Sequence, residues 1–90
     1  MKANIKKKAT RRLNIVQGQV KGLISMVEDE KYCVDIITQA SAIKEALSGV
    51  EDLILQNHLE THVLYQIKSG KGKKATAEIL KIYKLAQKKK

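Results

Sequence analysis

The only cysteine of this 90-residue chain, Cys33, and its only two histidines, His58 and His62, lie in one proline-free stretch from Tyr32 to Lys68. A thiolate is a nucleophile and a soft metal ligand, and two imidazoles four residues apart point the same way on a helix, as in many helical metal sites. The stretch reads as one long helix. At about 100° per residue, the step of 25 from Cys33 to His58 falls roughly 20° short of whole turns, and the step of 29 to His62 overshoots by as much. All three side chains therefore share a face. At about 1.5 Å of rise per residue, however, Cys33 and His58 stand roughly 37 Å apart along the axis. They cannot meet within one straight helix. If they form a site, an antiparallel second copy must bring its Cys33 to this copy's His58 and His62, which predicts a dimer with two sites.

Each donor also has a plainer reading. A lone cysteine is commonly a small buried apolar residue, and a histidine pair at four-residue spacing is by itself a weak signal. The position of Cys33 argues for chemistry, because free N–H groups and the dipole at a helix start favour a thiolate.

The elements that must position these residues are all helical. Ile5, Ala9, Leu13, Val16, Val20, Leu23 and Val27 step by three and four, predicting a first helix over about residues 5–28. Gly18 and Gly22 interrupt it, a spacing that lets another helix approach closely. Its polar residues include Arg11, Arg12, Asn14, Gln17, Gln19 and Lys21, a set suited to phosphate contact. Glu28-Asp29-Glu30-Lys31 reads as a turn. The long helix over 32–68 follows, with Val34, Ile37, Ala40, Ile43, Leu47, Val50, Ile54, Thr61 and Tyr65 along its buried stripe. Ser69-Gly70-Lys71-Gly72 stops it, and a shorter helix is expected over 73–86 before the tail Lys88-Lys89-Lys90. No strand and no repeat is evident. The expected fold is all-α, a three-helix protomer forming a single domain over residues 1–90.

Composition bounds the function. Hydrophobic residues make up 43% of the chain with no Trp, Phe or Pro, so the core must be aliphatic. A chain this small buries a modest fraction of its surface alone, and association would supply the rest. Eighteen Lys and Arg against nine Asp and Glu give a net charge of +9, which calls for a polyanionic partner. The acidic first turn and the long helices disfavour a helix-turn-helix reader. Contact through phosphates and duplex shape suits the basic helical surface better. One cysteine cannot form an internal disulfide, so a reducing, cytoplasmic setting is expected. No signal peptide is visible, and no run approaches the roughly 20 apolar residues of a membrane span, so no membrane partner is expected. No paired carboxylates and no Ser-His-Asp set suggest an enzyme.

Three segments carry a family resemblance. Arg12-Leu13-Asn14-Ile15-Val16-Gln17-Gly18-Gln19-Val20-Lys21-Gly22-Leu23, then Tyr32-Cys33-Val34-Asp35 through Lys44, then His58-Leu59-Glu60-Thr61-His62-Val63 resemble the copper-sensing repressor family (CsoR-type). That family also holds nickel/cobalt, formaldehyde and persulfide sensors. The resemblance covers about residues 5–83. It implies an antiparallel four-helix-bundle dimer and a dimer-of-dimers tetramer, a homotetramer that binds operator DNA. It also implies a site taking Cys33 from one protomer and His58 and His62 from the other, the arrangement the axial distance requires independently.

The branches differ at the ligand positions. Cys33 and His58 match the first two copper ligands, and His62 stands where Cys is commoner. Tyr32 and Glu78 match the pair that hydrogen-bonds the ligand histidine and transmits the signal. The nickel/cobalt branch adds an N-terminal histidine that MKANIKKK lacks. The persulfide branch needs a second Cys, and the formaldehyde branch an N-terminal Pro. The resemblance thus implies Cu(I) as effector, with His62 keeping nickel, cobalt and zinc in view. Arg12, Gln17, Lys21 and Lys44 are the expected DNA contacts. Two readings from other classes compete: an effector-independent basic nucleic-acid-binding helical protein, and a copper-trafficking or storage protein.

Overall fold

The computed structural model describes residues 1–87, and the basic tail Lys88-Lys89-Lys90 lies outside the described residues. Helix α1 spans Ala3–Glu28 and α2 spans Cys33–His58; a π-helical turn, Leu59–Val63, leads into α3, Leu64–Lys68, and α4 spans Gly72–Gln87. No non-helical residue falls between Cys33 and Lys68, so α2, the π turn and α3 together are the long helix expected from sequence. The three expected helices begin and end within two residues of their anticipated bounds. No strand occurs among the described residues.

The chain divides into two compact units, Met1–Leu55 and Gln56–Lys90. In the first, α1 ends on a Schellman-type closure: the N–H of Glu30 donates to Val27 O at 3.1 Å and that of Lys31 to Met26 O at 2.9 Å. Glu30 adopts φ 50° there, a left-handed position more often taken by glycine. The carbonyl of Tyr32 then accepts from Asp35 and Ile36, opening α2. The buried apolar residues of this unit are Ile5, Ala9 and Val16 on α1 and Ile43 and Val50 on α2. Arg12 spans the two helices, its Nη1 donating to the Gly49 carbonyl at 3.4 Å.

The second unit is smaller and more polar inside. Its buried residues are Val63 and Ala75 together with Asn57 and Gln66. At the π turn, where each bond reaches one residue further than in an α-helix, Thr61 Oγ1 donates to the Asn57 carbonyl at 2.6 Å. Helix α3 stops at Gly70, whose φ of 82° costs an L side chain but not glycine. The N–H of Lys71 meets Gln66 O at 2.6 Å and that of Gly70 meets Ile67 O at 3.2 Å. Helix α4 begins two residues after Gly70, and α3 and α4 form a tight hairpin.

Two sequence expectations need correction. The apolar stripes are buried only in part: Leu13, Val20 and Val27 on α1, Val34, Ile37 and Leu47 on α2, and Tyr65 on α3 are exposed. Each helix thus carries a second apolar face, a surface that marks an interaction site when it is this extensive. Gly18 and Gly22 do not receive a neighbouring helix within this chain, for a Cβ added at either meets nothing within 4 Å. The glycine that does face a side chain across a helix pair is Gly49, whose added Cβ would lie 3.7 Å from Arg12 Nη1.

Candidate metal centre

His58 immediately precedes the π turn and His62 lies within it, and the structure brings their rings together. The centroids lie 5.2 Å apart with the planes tilted by 46°. Their Nδ1 atoms face each other at 3.3 Å. At a metal–nitrogen distance of about 2 Å, one ion can contact both nitrogens. Two imidazoles so placed fit a thiophilic or borderline cation; the donor chemistry is that of Cu, Zn, Ni or Co rather than Mg or Ca.

The far nitrogen of His58 is also engaged. Nε2 lies 3.1 Å from Glu78 Oε2, with the side chains 22% and 35% exposed. The distance is that of an ion pair, yet the approach does not meet hydrogen-bond geometry, so Nε2 counts as buried without a bonded partner. A carboxylate on the outer nitrogen fixes which nitrogen carries the proton and leaves Nδ1 free to act as donor. Glu78 stands on α4 with its carboxylate beside His58. Gln66, which the sequence reading did not single out, shares the same carboxylate oxygen: its Nε2 donates to Glu78 Oε2 at 3.5 Å. Nothing in helical periodicity marks that glutamine out.

Within Met1–Leu55, Cys33 is the first residue of α2, and its thiol is free and exposed. Tyr32 precedes it and is 72% exposed. Among the described residues no three His, Cys, Asp or Glu side chains gather closely enough to hold a metal ion.

The four expected DNA contacts are all exposed, but they do not form one patch on α1. Arg12 turns toward Gly49. Gln17 and Lys21 lie about 140° and 180° further round the helix. Lys21 recurs at seven-residue steps with Asn14 and Lys7, a spacing that keeps side chains near one line of a helix. Lys6, Lys7, Thr10, Arg11 and Asn14 line one shallow concavity on that outer face. Lys7 thus joins Asn14, already in the set suited to phosphate contact, as a candidate that seven-residue spacing picks out. Lys44 stands exposed on α2. No helix among the described residues is long and apolar enough to cross a membrane.

The described residues thus form an all-helical fold with two imidazoles paired on its long helix. Comparison with known proteins places it further. The profile of the metal-sensitive transcriptional repressor family matches residues 5–85. The chain belongs to that family. It is 42% identical over 79 residues to the copper-sensing transcriptional repressor CsoR of Bacillus subtilis (strain 168), covering 88% of this chain and 78% of the relative. With the repressor of the same name from Mycobacterium tuberculosis (strain ATCC 25618 / H37Rv) it shares 36% identity over 75 residues, 83% of this chain but only 63% of that longer one. Among solved structures, the copper-sensing repressor CsoR with Cu(I) from Geobacillus thermodenitrificans NG80-2 superposes with a TM-score of 0.89 at 33% identity. The match covers 97% of this chain and 91% of that one.

Proposed function

We propose that the chain is a copper(I)-responsive transcriptional repressor that binds operator DNA in the metal-free state and releases it when Cu(I) is bound. The observation that carries this reading is the His58–His62 pair, two Nδ1 atoms 3.3 Å apart with Glu78 against the outer nitrogen of His58. Family membership supplies the repressor class, and relatives named as copper-sensing support the choice of metal.

The ligands are Cys33 of one protomer with His58 and His62 of another. A soft thiolate and two imidazoles make a three-donor set that suits Cu(I), which is content with few ligands. When bound, the ion supplies a bridge between two chains. The exposed second faces of α1 and α2 supply the apolar surface for an antiparallel four-helix-bundle dimer, and two dimers form the working homotetramer. Tyr32, beside the thiolate of one protomer, and Glu78, beside His58 of the other, complete hydrogen bonds around the coordinated imidazole. Because Glu78 belongs to α4, that contact would tie the position of α4 to the histidine pair.

In the DNA-bound state Arg12, Gln17, Lys21 and Lys44 contact the duplex, drawing on the +9 charge of a chain acting in the cytoplasm. A 100-fold loss of DNA affinity on metal binding corresponds to a coupling of about 2.7 kcal/mol. A few hydrogen bonds gained in one state and lost in the other supply that much. The chain's role is binding, not catalysis.

The test is release from a DNA fragment selected by the metal-free protein, followed by fluorescence anisotropy under anaerobic conditions. Cu(I) at one equivalent per protomer should release the DNA, while Ni(II), Co(II), Zn(II) and formaldehyde should not. Release by nickel or cobalt but not copper would move the protein to that branch. DNA binding indifferent to all of them would make it an effector-independent nucleic-acid binder, and copper binding without sequence-selective DNA affinity would make it a copper carrier.

A further inference from the structure

We propose that Gln66 is a positioning residue for the metal response: its buried side-chain amide orients the Glu78 carboxylate against His58, and this contact links α4 to the histidine pair. The inference rests on the reading of His58 as a copper ligand.

Gln66 is 9% exposed, on the last turn of α3. Burying an amide is unfavourable unless its polar atoms are used. Its side-chain Nε2 donates to Glu78 Oε2 at 3.5 Å. Its Oε1 is buried with no partner among the described residues. The amide is therefore half satisfied, an arrangement that native interiors rarely keep without a reason. The reason lies on the other side of the carboxylate. The oxygen that Gln66 reaches is the same Oε2 that stands 3.1 Å from His58 Nε2. A carboxylate can accept both N–H groups at once. Turning the amide over would set Oε1 against a negative charge, so the electrostatics of Glu78 select the observed orientation.

The backbone of Gln66 is equally constrained. Its carbonyl accepts from Lys71 N at 2.6 Å and from Ser69 Oγ at 3.3 Å, both in the closure formed at Gly70. Glu78, by contrast, is 35% exposed on α4. A glutamate there would sample several rotamers, most of them facing water. An amide fixed by the α3 terminus restricts it to the one that meets His58. Gln66 touches neither the metal-facing nitrogens nor the DNA-facing side chains, so its effect passes through Glu78.

The test uses the full chain, with wild type, Gln66→Met, Glu78→Gln and the double variant compared. For each protein the operator affinity is measured with and without one equivalent of Cu(I), together with helix content and the 15N chemical shift of His58 Nε2. Gln66→Met keeps the side-chain volume and removes the donor. We expect the copper-induced loss of DNA affinity to shrink from about 100-fold to below about 10-fold in Gln66→Met, and the His58 Nε2 resonance to shift. In the Glu78→Gln background the same change should add nothing, because a residue acting through Glu78 has no independent effect. A wild-type release ratio in Gln66→Met, or effects that add in the double variant, would overturn the proposal. Should Gln66→Met lose helix content, hydrogen exchange at the Gln66 side-chain amide of the wild-type protein decides. Slow exchange supports the contact and exchange at the solvent rate overturns it. If wild-type protein does not release DNA with Cu(I), the copper reading fails first, and that outcome is distinct from a failure of Gln66 alone.

Discussion

The two units of this chain are built on different principles. Met1–Leu55 is two long helices with aliphatic residues inside, Ile5, Ala9, Val16, Ile43 and Val50, and a side-chain hydrogen bond from Arg12 to Gly49 crosses between them. The unit from Gln56 onward has two polar residues among its four buried ones, a π turn, and a carboxylate shared between a histidine and a glutamine. Burial of aliphatic surface is tolerant and nondirectional. Buried polar contacts are directional and lose much when one partner goes. The first unit is thus suited to holding a thiol and a basic surface on a regular frame. The second is suited to converting a change at one imidazole into a change of backbone position. The separation of Cys33 from the histidines into different units matches that division of labour.

The contrast can be broken at several points, taken here from the largest effect to the smallest. Replacing His58 by Ala should abolish copper-dependent DNA release while leaving metal-free operator binding in place; anisotropy titration checks both. Ala75, 2% exposed on α4, is the tightest apolar position in the polar unit. Ala75→Leu should overpack it and lower stability by about 1–3 kcal/mol in thermal unfolding followed by circular dichroism. Glu78→Gln keeps the shape of the side chain but weakens its hold on His58 Nε2, and should lower Cu(I) affinity about 10-fold in competition with a chromophoric chelator. The smallest effects come from two glycines with opposite signs. Gly70→Ala places a Cβ at φ 82° and should destabilise by about 1 kcal/mol. Gly49→Ala meets only Arg12 Nη1, at an ordinary 3.7 Å, and should be neutral or stabilise by up to about 1 kcal/mol.

The same contrast explains what could be read from sequence. Sequence pattern located α1, the long helix formed by α2, the π turn and α3, and α4 to within two residues, because helices of aliphatic stripe and charged face follow directly from three-and-four spacing. Which members of each stripe are covered was not legible. Leu13 and Val16 have the same chemistry, and only the packing of this chain leaves one exposed and buries the other. The π turn was also beyond reach, since Leu59 to Val63 has no residue that forbids an ordinary α turn. The spacing of His58 and His62 showed that the rings share a side, but not that their Nδ1 atoms face one another. Glu78 entered through family resemblance alone. Gln66 had no sequence signal, for a glutamine's burial depends on neighbours 12 residues away. On α1, Arg12 stands about 140–180° round the helix from Gln17 and Lys21, and the seven-residue recurrence of Lys7, Asn14 and Lys21 was available in the sequence.

The central claim is that the metal is held between chains, by Cys33 of one protomer and His58 and His62 of another. It is tested most directly by mixing two inactive proteins. Cys33→Ala and His58→Ala variants, given different affinity tags, are co-refolded and the doubly tagged species isolated. In a shared-site dimer the mixed species has one doubly broken site and one intact site, so it should bind roughly half the tight Cu(I) of wild type, although neither parent binds tightly. No recovery of tight copper binding in the isolated mixed species would contradict the claim.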